Sequence, residues 1–224
     1  MIPARGGSKR IPRKNIKEFC GKPMIAYSIQ AAINSGLFDK VIASTDDREI
    51  ADICQSFGCE VPFIRPSALA DDFSTTLDVM SHAVNWFDRK GWELEKVCCV
   101  YATAPFLSID DLVEGLSLLD SPQVQYSLSV TRFATPIQRA FRLSKEKKVE
   151  MFSPRYESAR SQDLEPAYHD AGQFYWGKAD AWRMKLPLFS PHSRAVVIPN
   201  KRSQDIDTPE DWELAEYLYL ALSR

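Results

Sequence analysis

An α/β domain around a twisted, mostly parallel sheet is the fold class this sequence predicts, and three observations predict it. Segments rich in β-branched and apolar residues alternate with segments of helical period along most of the chain. The run KVCCVYA at residues 96–102 is apolar almost throughout, as a strand covered on both faces must be. Of 224 residues, 45% are hydrophobic and 26% charged, ordinary usage for a globular chain that buries a core without disulfide staples. One domain spanning residues 1–224 is expected.

The elements follow in order. Residues 24–35 (MIAYSIQAAINS) have helical spacing, and Gly36 is a natural stop. Residues 40–44 (KVIAS) read as a strand, and Thr45-Asp46-Asp47 opens a helix through Ser56. A strand over 58–64, an amphipathic helix over 76–90 closed by Gly91, and the strand at 96–102 come next. Residues 110–119 read as helix and 126–131 as strand. Residues 133–170 break this rhythm, being charged and without sustained period, and are expected to form a small protruding lobe that joins two subunits into a homodimer. Strands return at 173–177 and 195–198, and Pro209 in a first-turn position marks a closing helix over 208–222. The strand leading into the first glycines has only Met1 to Pro3, short for a central strand, which leaves open whether residues precede it.

Composition removes several function classes. The net charge of -2 argues against a general nucleic-acid binder. No apolar run is long enough to cross a bilayer and no signal peptide is apparent, so no membrane partner and a cytoplasmic location are expected. The five cysteines (Cys20, Cys54, Cys59, Cys98, Cys99) lack paired spacing, which fits a reducing compartment rather than a disulfide framework or zinc site.

Charge placement is more informative than charge sum. Residues 5–22 hold seven cations (Arg5, Lys9, Arg10, Arg13, Lys14, Lys17, Lys22) and one acid, Glu18. Within them, Arg5-Gly6-Gly7-Ser8-Lys9 sets adjacent glycines beside an arginine, so backbone N–H groups can approach an anion unobstructed while Arg5 grips its oxygens. Neither the P-loop nor the GxGxxG spacing is present. The competing reading is a solvated basic loop; polyphosphate binding explains the density of cations better. Near the other end, Asp205 and Asp207 are two apart, so on an extended segment both carboxylates face one way and can meet one Mg²⁺. Asp207 could instead favour the dipole of the closing helix beside Thr208.

Residues 3–15, PARGGSKRIPRKN, resemble the signature of the CMP-sugar synthetases, the cytidylyltransferases of sialic, KDO-like and pseudaminic acids. KVIASTD at 40–46, the stretch from Arg65-Pro66 through Leu69-Ala70-Asp71 to Ser74-Thr75-Thr76, and Asp205-Ile206-Asp207-Thr208 resemble further family motifs in the same order. The resemblance implies a Rossmann-like nucleotidyltransferase fold, similar to glycosyltransferase-A, that joins CTP to an acidic nine-carbon sugar and releases pyrophosphate. By position it implies Arg5, Gly6, Gly7, Ser8, Lys9 and Asn15 at the phosphates, Arg65, Ser74 and Thr76 at the cytidine, and Lys14 stabilising charge in the displacement, with Arg5 and Lys9 beside it. It implies Mg²⁺ on Asp205 and Asp207. Two stretches depart from the sialic-acid branch, YATAPF at 101–106 and YHDAGQFYWG at 168–177, and resemble the pseudaminic acid branch. Tyr101, Thr103, His169, Gln173 and Tyr175 are therefore candidate sugar contacts, although Phe174 and Trp176 read as core strand.

Other features read as structural. His82 and His192 lack triad partners, Trp86, Phe87 and Trp92 suit a core or interface, and Arg155 and Arg160 suit a solvated face. Sialic, legionaminic or KDO-type sugars remain alternative acceptors, and a non-catalytic nucleotide-binding regulator or an oligomerisation module remain alternative roles.

Overall fold

The computed structural model describes residues 1–223. Strand β1 (Ile2–Pro3) leads through the hairpin β2 (Glu18–Phe19) and β3 (Lys22–Pro23) into helix α1 (Met24–Ser35). There follow β4 (Ala43–Ser44), α2 (Arg48–Ser56), α3 (Thr76–Asp88), β5 (Lys96–Val100), α4 (Ile109–Leu118) and β6 (Tyr126–Arg132). A second hairpin, β7 (Phe141–Leu143) and β8 (Val149–Met151), precedes β9 (Tyr168–Lys178), α5 (Ala179–Arg183), β10 (Ser193–Val197) and α6 (Pro209–Leu222).

Four strands pair in the order β10-β6-β9-β5. The parallel pair β1 and β4 continues this sheet: Met1 N–H donates to Cys98 O at 2.5 Å, and Val100 N–H donates to Met1 O at 2.9 Å. That bond pattern is parallel, so β1, short as it is, lies centrally between β4 and β5. Only β9 runs against its neighbours. The sheet is thus mostly parallel, as expected.

Alternation along the strands divides the core into two layers. Cys98, Val100, Phe174 and Trp176 face Ile25, Ile29, Ile50 and Leu112 of α1, α2 and α4. Cys99, Tyr175, Tyr126 and Leu128 face Val79, Met80, Val84 and Trp182 of α3 and α5. The starts of α2, α3 and α6 are capped by side chains. Asp47 accepts Ile50 N–H at 3.0 Å, and Thr75 with Asp78 and Thr208 with Asp211 form capping boxes, each worth about 1 kcal/mol. A third apolar cluster packs Trp212 and Ala215 of α6 against Ile11, Phe19, Tyr27 and Ile206. It fastens the C-terminal helix onto the loop after β1.

Three expectations need correction. The run at 58–64 forms only isolated bridges, Ile42 with Glu60 and Thr45 with Ile64, because Pro62 interrupts it and cannot donate to a ladder. The strand expected at 173–177 begins earlier, at Tyr168, so residues 168–170 belong to the core sheet and not to the lobe. A register shift between Leu128 and Val130 and the left-handed Gly172 (φ 62°) let the polar start of β9 stay paired. The remaining lobe carries the β7–β8 hairpin and three 3-10 turns, closed at its base by Phe133 N–H to Ala167 O at 3.0 Å.

Candidate active site

The loop that leaves β1 is held by acids from the β4–α2 corner. Gly6 N–H donates to Asp46 Oδ1 at 3.1 Å, and a Cβ on Gly6 would stand 2.6 Å from Asp47 Oδ2, so the approach requires glycine. Gly7 meets no such neighbour and is free to present its backbone. Arg13 adopts φ 57° and forks onto Asp47 at 2.5 and 3.1 Å while also pairing with Glu49. This hydrogen bond holds the Asp47 carboxyl below its ordinary pKa. Asn15, nearly buried, donates to Arg5 O at 2.9 Å and pins the loop from below.

A cleft of about 540 Å³ opens over this loop, bounded by Arg5, Ser8, Lys9, Lys14 and Asn15 on one side. Arg65, Ser74 and Thr76 also line it, as do Tyr101 and Thr103 just past β5. Arg65 is only 5% exposed; burial lowers its pKa, opposed by Asp46 at 3.6 Å, and its Nε has no partner among the described residues. A buried guanidinium with an unused donor is suited to a ligand's acceptor atom. Ser74 caps the turn at Asp71 (Oγ to Oδ1, 2.6 Å), and Asp72 accepts from Arg5 at 2.7 Å and from Lys9. Those contacts from Lys9 and Arg5 hold the Asp72 carboxyl below its ordinary pKa.

The C-terminal motif meets the cleft through Lys14. Its Nζ donates to Ile206 O at 2.7 Å and to Asp207 Oδ1 at 3.3 Å, and Arg10 reaches Asp207 Oδ2 at 2.7 Å. Asp207 thus pairs with two cations of the loop, while Thr208 caps α6 in a box with Asp211. Asp205 reaches solvent at its edge, yet partial burial first, and the like charge of Asp207 second, raise its carboxyl pKa. Two carboxylates in mutual repulsion suit a divalent cation. Among the described residues no group of three His, Cys, Asp or Glu side chains could hold a metal alone, so a cation here needs oxygens from a ligand, as Mg²⁺ prefers.

The candidate sugar contacts separate. Tyr101 and Thr103 line the cleft, and Tyr175 stands behind Tyr101, their hydroxyls 3.2 Å apart. Gln173 and His169 are not brought to it. Gln173 is buried, and its amide donates to Arg202 O at 2.5 Å. His169 lies at the start of β9, its ring centroid 4.6 Å from that of Phe133 at the base of the lobe.

Sequence reasoning missed the counter-charges. Arg5, Lys9, Arg10, Arg13 and Lys14 are each paired, with Asp72, Asp207, Asp47 and Glu49. The signal was present in the adjacent acids Asp46-Asp47 and Asp71-Asp72, which read only as a helix start and a motif fragment.

Comparison with known proteins places the chain in a family. The family profile described as cytidylyltransferase matches residues 1–187. A pseudaminic acid cytidylyltransferase of Campylobacter jejuni is 45% identical over 219 residues, covering 98% of this chain and 94% of that protein. An N-acylneuraminate cytidylyltransferase of Escherichia coli is 29% identical, covering 96% of this chain and 50% of that protein. The solved structure of CMP:2-keto-3-deoxy-manno-octonic acid synthetase complexed with CTP aligns with a TM-score of 0.71 over 100% of this chain and 98% of that one, at 19% identity, a likeness of fold. With a family model that matches most of its length and a relative 45% identical along nearly all of it, the chain belongs to the cytidylyltransferase family.

Proposed function

We propose that this protein transfers CMP from CTP to pseudaminic acid and releases pyrophosphate. The observation that carries the reading is that Lys14, which lines the cleft, is held by Asp207 from the opposite end of the chain. The choice of sugar is supported by the 45% identity to the Campylobacter jejuni pseudaminic acid enzyme, against 29% to the N-acylneuraminate enzyme of Escherichia coli.

The triphosphate lies over Gly6, Gly7 and Ser8, with Arg5 and Lys9 on its oxygens in place of Asp72. Arg65 and the Ser74–Thr76 wall receive the cytidine, and Tyr101 and Thr103 face the sugar. The anomeric hydroxyl attacks the α-phosphorus in line. Lys14, held by Ile206 O and Asp207, offsets charge that builds on the departing pyrophosphate. Asp205 and Asp207 would hold Mg²⁺, which supplies further charge neutralisation when bound. No residue of the cleft forms a covalent intermediate; positioning and electrostatics account for the rate.

The working form is a homodimer joined through the lobe, whose Phe141, Leu143, Val149 and Phe152 are all more than half exposed. A cytoplasmic location is supported by five free cysteines and by the lack, among the described residues, of a helix long and apolar enough to cross a membrane. Pyrophosphate release from Mg-CTP, measured with pseudaminic acid, N-acetylneuraminate and a KDO-type sugar, tests the reading. Preference for pseudaminic acid is expected; release with none of the three overturns it.

A further inference from the structure

A chain of side-chain oxygens leads away from the cleft into the sheet. Thr76 Oγ1 lies 3.5 Å from Tyr101 Oη, Tyr101 Oη donates to Tyr175 Oη at 3.2 Å, and Tyr175 Oη donates to the Asp170 carboxylate. Tyr101 borders the cleft, whereas Tyr175 is 2% exposed. Asp170 sets the direction of every proton in this chain. A carboxylate can only accept, and the other Asp170 oxygen already accepts Gly172 N–H at 2.9 Å. Tyr175 must therefore point its single O–H at Asp170, leaving only lone pairs toward Tyr101. Tyr101 in turn points its proton at Tyr175 and shows the cleft only lone pairs. Burial pushes the Tyr101 phenol up to about 12 and the Tyr175 phenol further, so both hydrogens are in place at neutral pH.

We infer that Asp170 is a positioning residue that, through Tyr175, makes Tyr101 an obligate hydrogen-bond acceptor, so that the cleft selects a hydrogen-bond donor of the bound substrate at this point. The inference rests on the proposed reaction and names a discriminating contact within it. Two donors have the right chemistry: a hydroxyl or acylamino N–H of the sugar, and the exocyclic amino group of cytosine, where uracil carries a carbonyl oxygen. The Thr76 contact is long for a hydroxyl bond and is the one a ligand displaces.

Asp170→Asn reverses the chain while keeping the side chain's shape. Gly172 N–H keeps the amide oxygen on its own side, so the amide NH₂ faces Tyr175 and donates. Tyr175 must then donate to Tyr101, and Tyr101 to the cleft. The measurement is steady-state KM for the sugar, for CTP and for UTP, in wild type, Asp170→Asn, Tyr101→Phe and the double variant, with thermal midpoints as a control. The expected result is a rise of about tenfold or more in sugar KM, or a similar loss of CTP preference over UTP, abolished in the Tyr101→Phe background. A change in sugar KM alone assigns the donor to the sugar; lost nucleotide discrimination assigns it to cytosine. The inference is overturned if Asp170→Asn alters neither quantity, or if its effect persists undiminished beside Tyr101→Phe, as a purely structural role requires. Should Asp170→Asn fail to fold, Tyr175→Phe interrupts the same chain and must show the same loss of additivity with Tyr101→Phe. Wild-type protein inactive with all three sugars overturns the proposed reaction and this inference together, whereas an active wild type with an insensitive variant overturns the inference alone.

Discussion

Lys14 Nζ lies 3.3 Å from Asp207 Oδ1 although 193 positions separate the two residues. The contact exists because α6 packs Trp212 and Ala215 onto Phe19 and Ile11, bringing the segment before the helix beside the glycine loop. It makes one electrostatic unit of the cationic front of the chain and its acidic end.

Lys14→Ala removes a cleft-lining cation that Ile206 O and Asp207 hold in place. Turnover is expected to fall by about a hundredfold or more, the usual cost of losing one preorganised charge contact in a transition state. Circular dichroism is expected to match wild type, since Asp207 keeps Arg10 at 2.7 Å. Near-normal turnover removes Lys14 from its assigned role.

Asp72 pairs with Arg5 and Lys9, the two cations assigned to the triphosphate. A triphosphate must displace this carboxylate before it can engage them. Asp72→Asn is therefore expected to lower KM for CTP by about two- to fivefold, in line with the modest strength of exposed ion pairs. An increase in CTP KM points instead to Asp72 holding the loop in its binding shape.

Asp205 gives a pH signature. Its folded pKa is raised, by burial and then by Asp207, so the folded state binds a proton more tightly than the unfolded chain. Stability is lost as pH rises from the ordinary carboxylate pKa of about 4 through the raised value. In metal-free buffer Asp205→Asn is expected to raise the thermal midpoint at pH 7, the gain vanishing as pH falls below about 4. Mg²⁺ with CTP is expected to stabilise wild type and not the variant. Differential scanning calorimetry at several pH values checks both.

The lobe hairpin exposes Phe141, Leu143, Val149 and Phe152 together. Light scattering is expected to give a dimer mass for wild type and a monomer mass for Phe141→Ser with Leu143→Ser. A monomeric wild type contradicts the assembly.

Much of this molecule was legible in the sequence. The bounds of α1 match because helical spacing and Gly36, left-handed at φ 66°, specify its body and its end. The Arg5–Asn15 loop was legible as a distinct feature from its adjacent glycines and dense cations, and it lines the cleft. The start of β9 was not: Tyr168, His169 and Asp170 are polar, and the Gly172 bulge that keeps them paired depends on β6, distant in the chain. Nor could period reveal the counter-charges on the loop, since Asp47, Asp72 and Asp207 reach it only through tertiary packing. Gln173 misled for the same reason: its position in a family motif does not disclose that the strand turns it toward Arg202.

Crystallisation with CTP and Mg²⁺ tests the central claim most directly. The account predicts a triphosphate lying between Arg5, Lys9 and Lys14, with a metal ion bridging it to Asp205 and Asp207. A triphosphate bound away from the glycine loop, or a metal ion that touches neither aspartate, contradicts it.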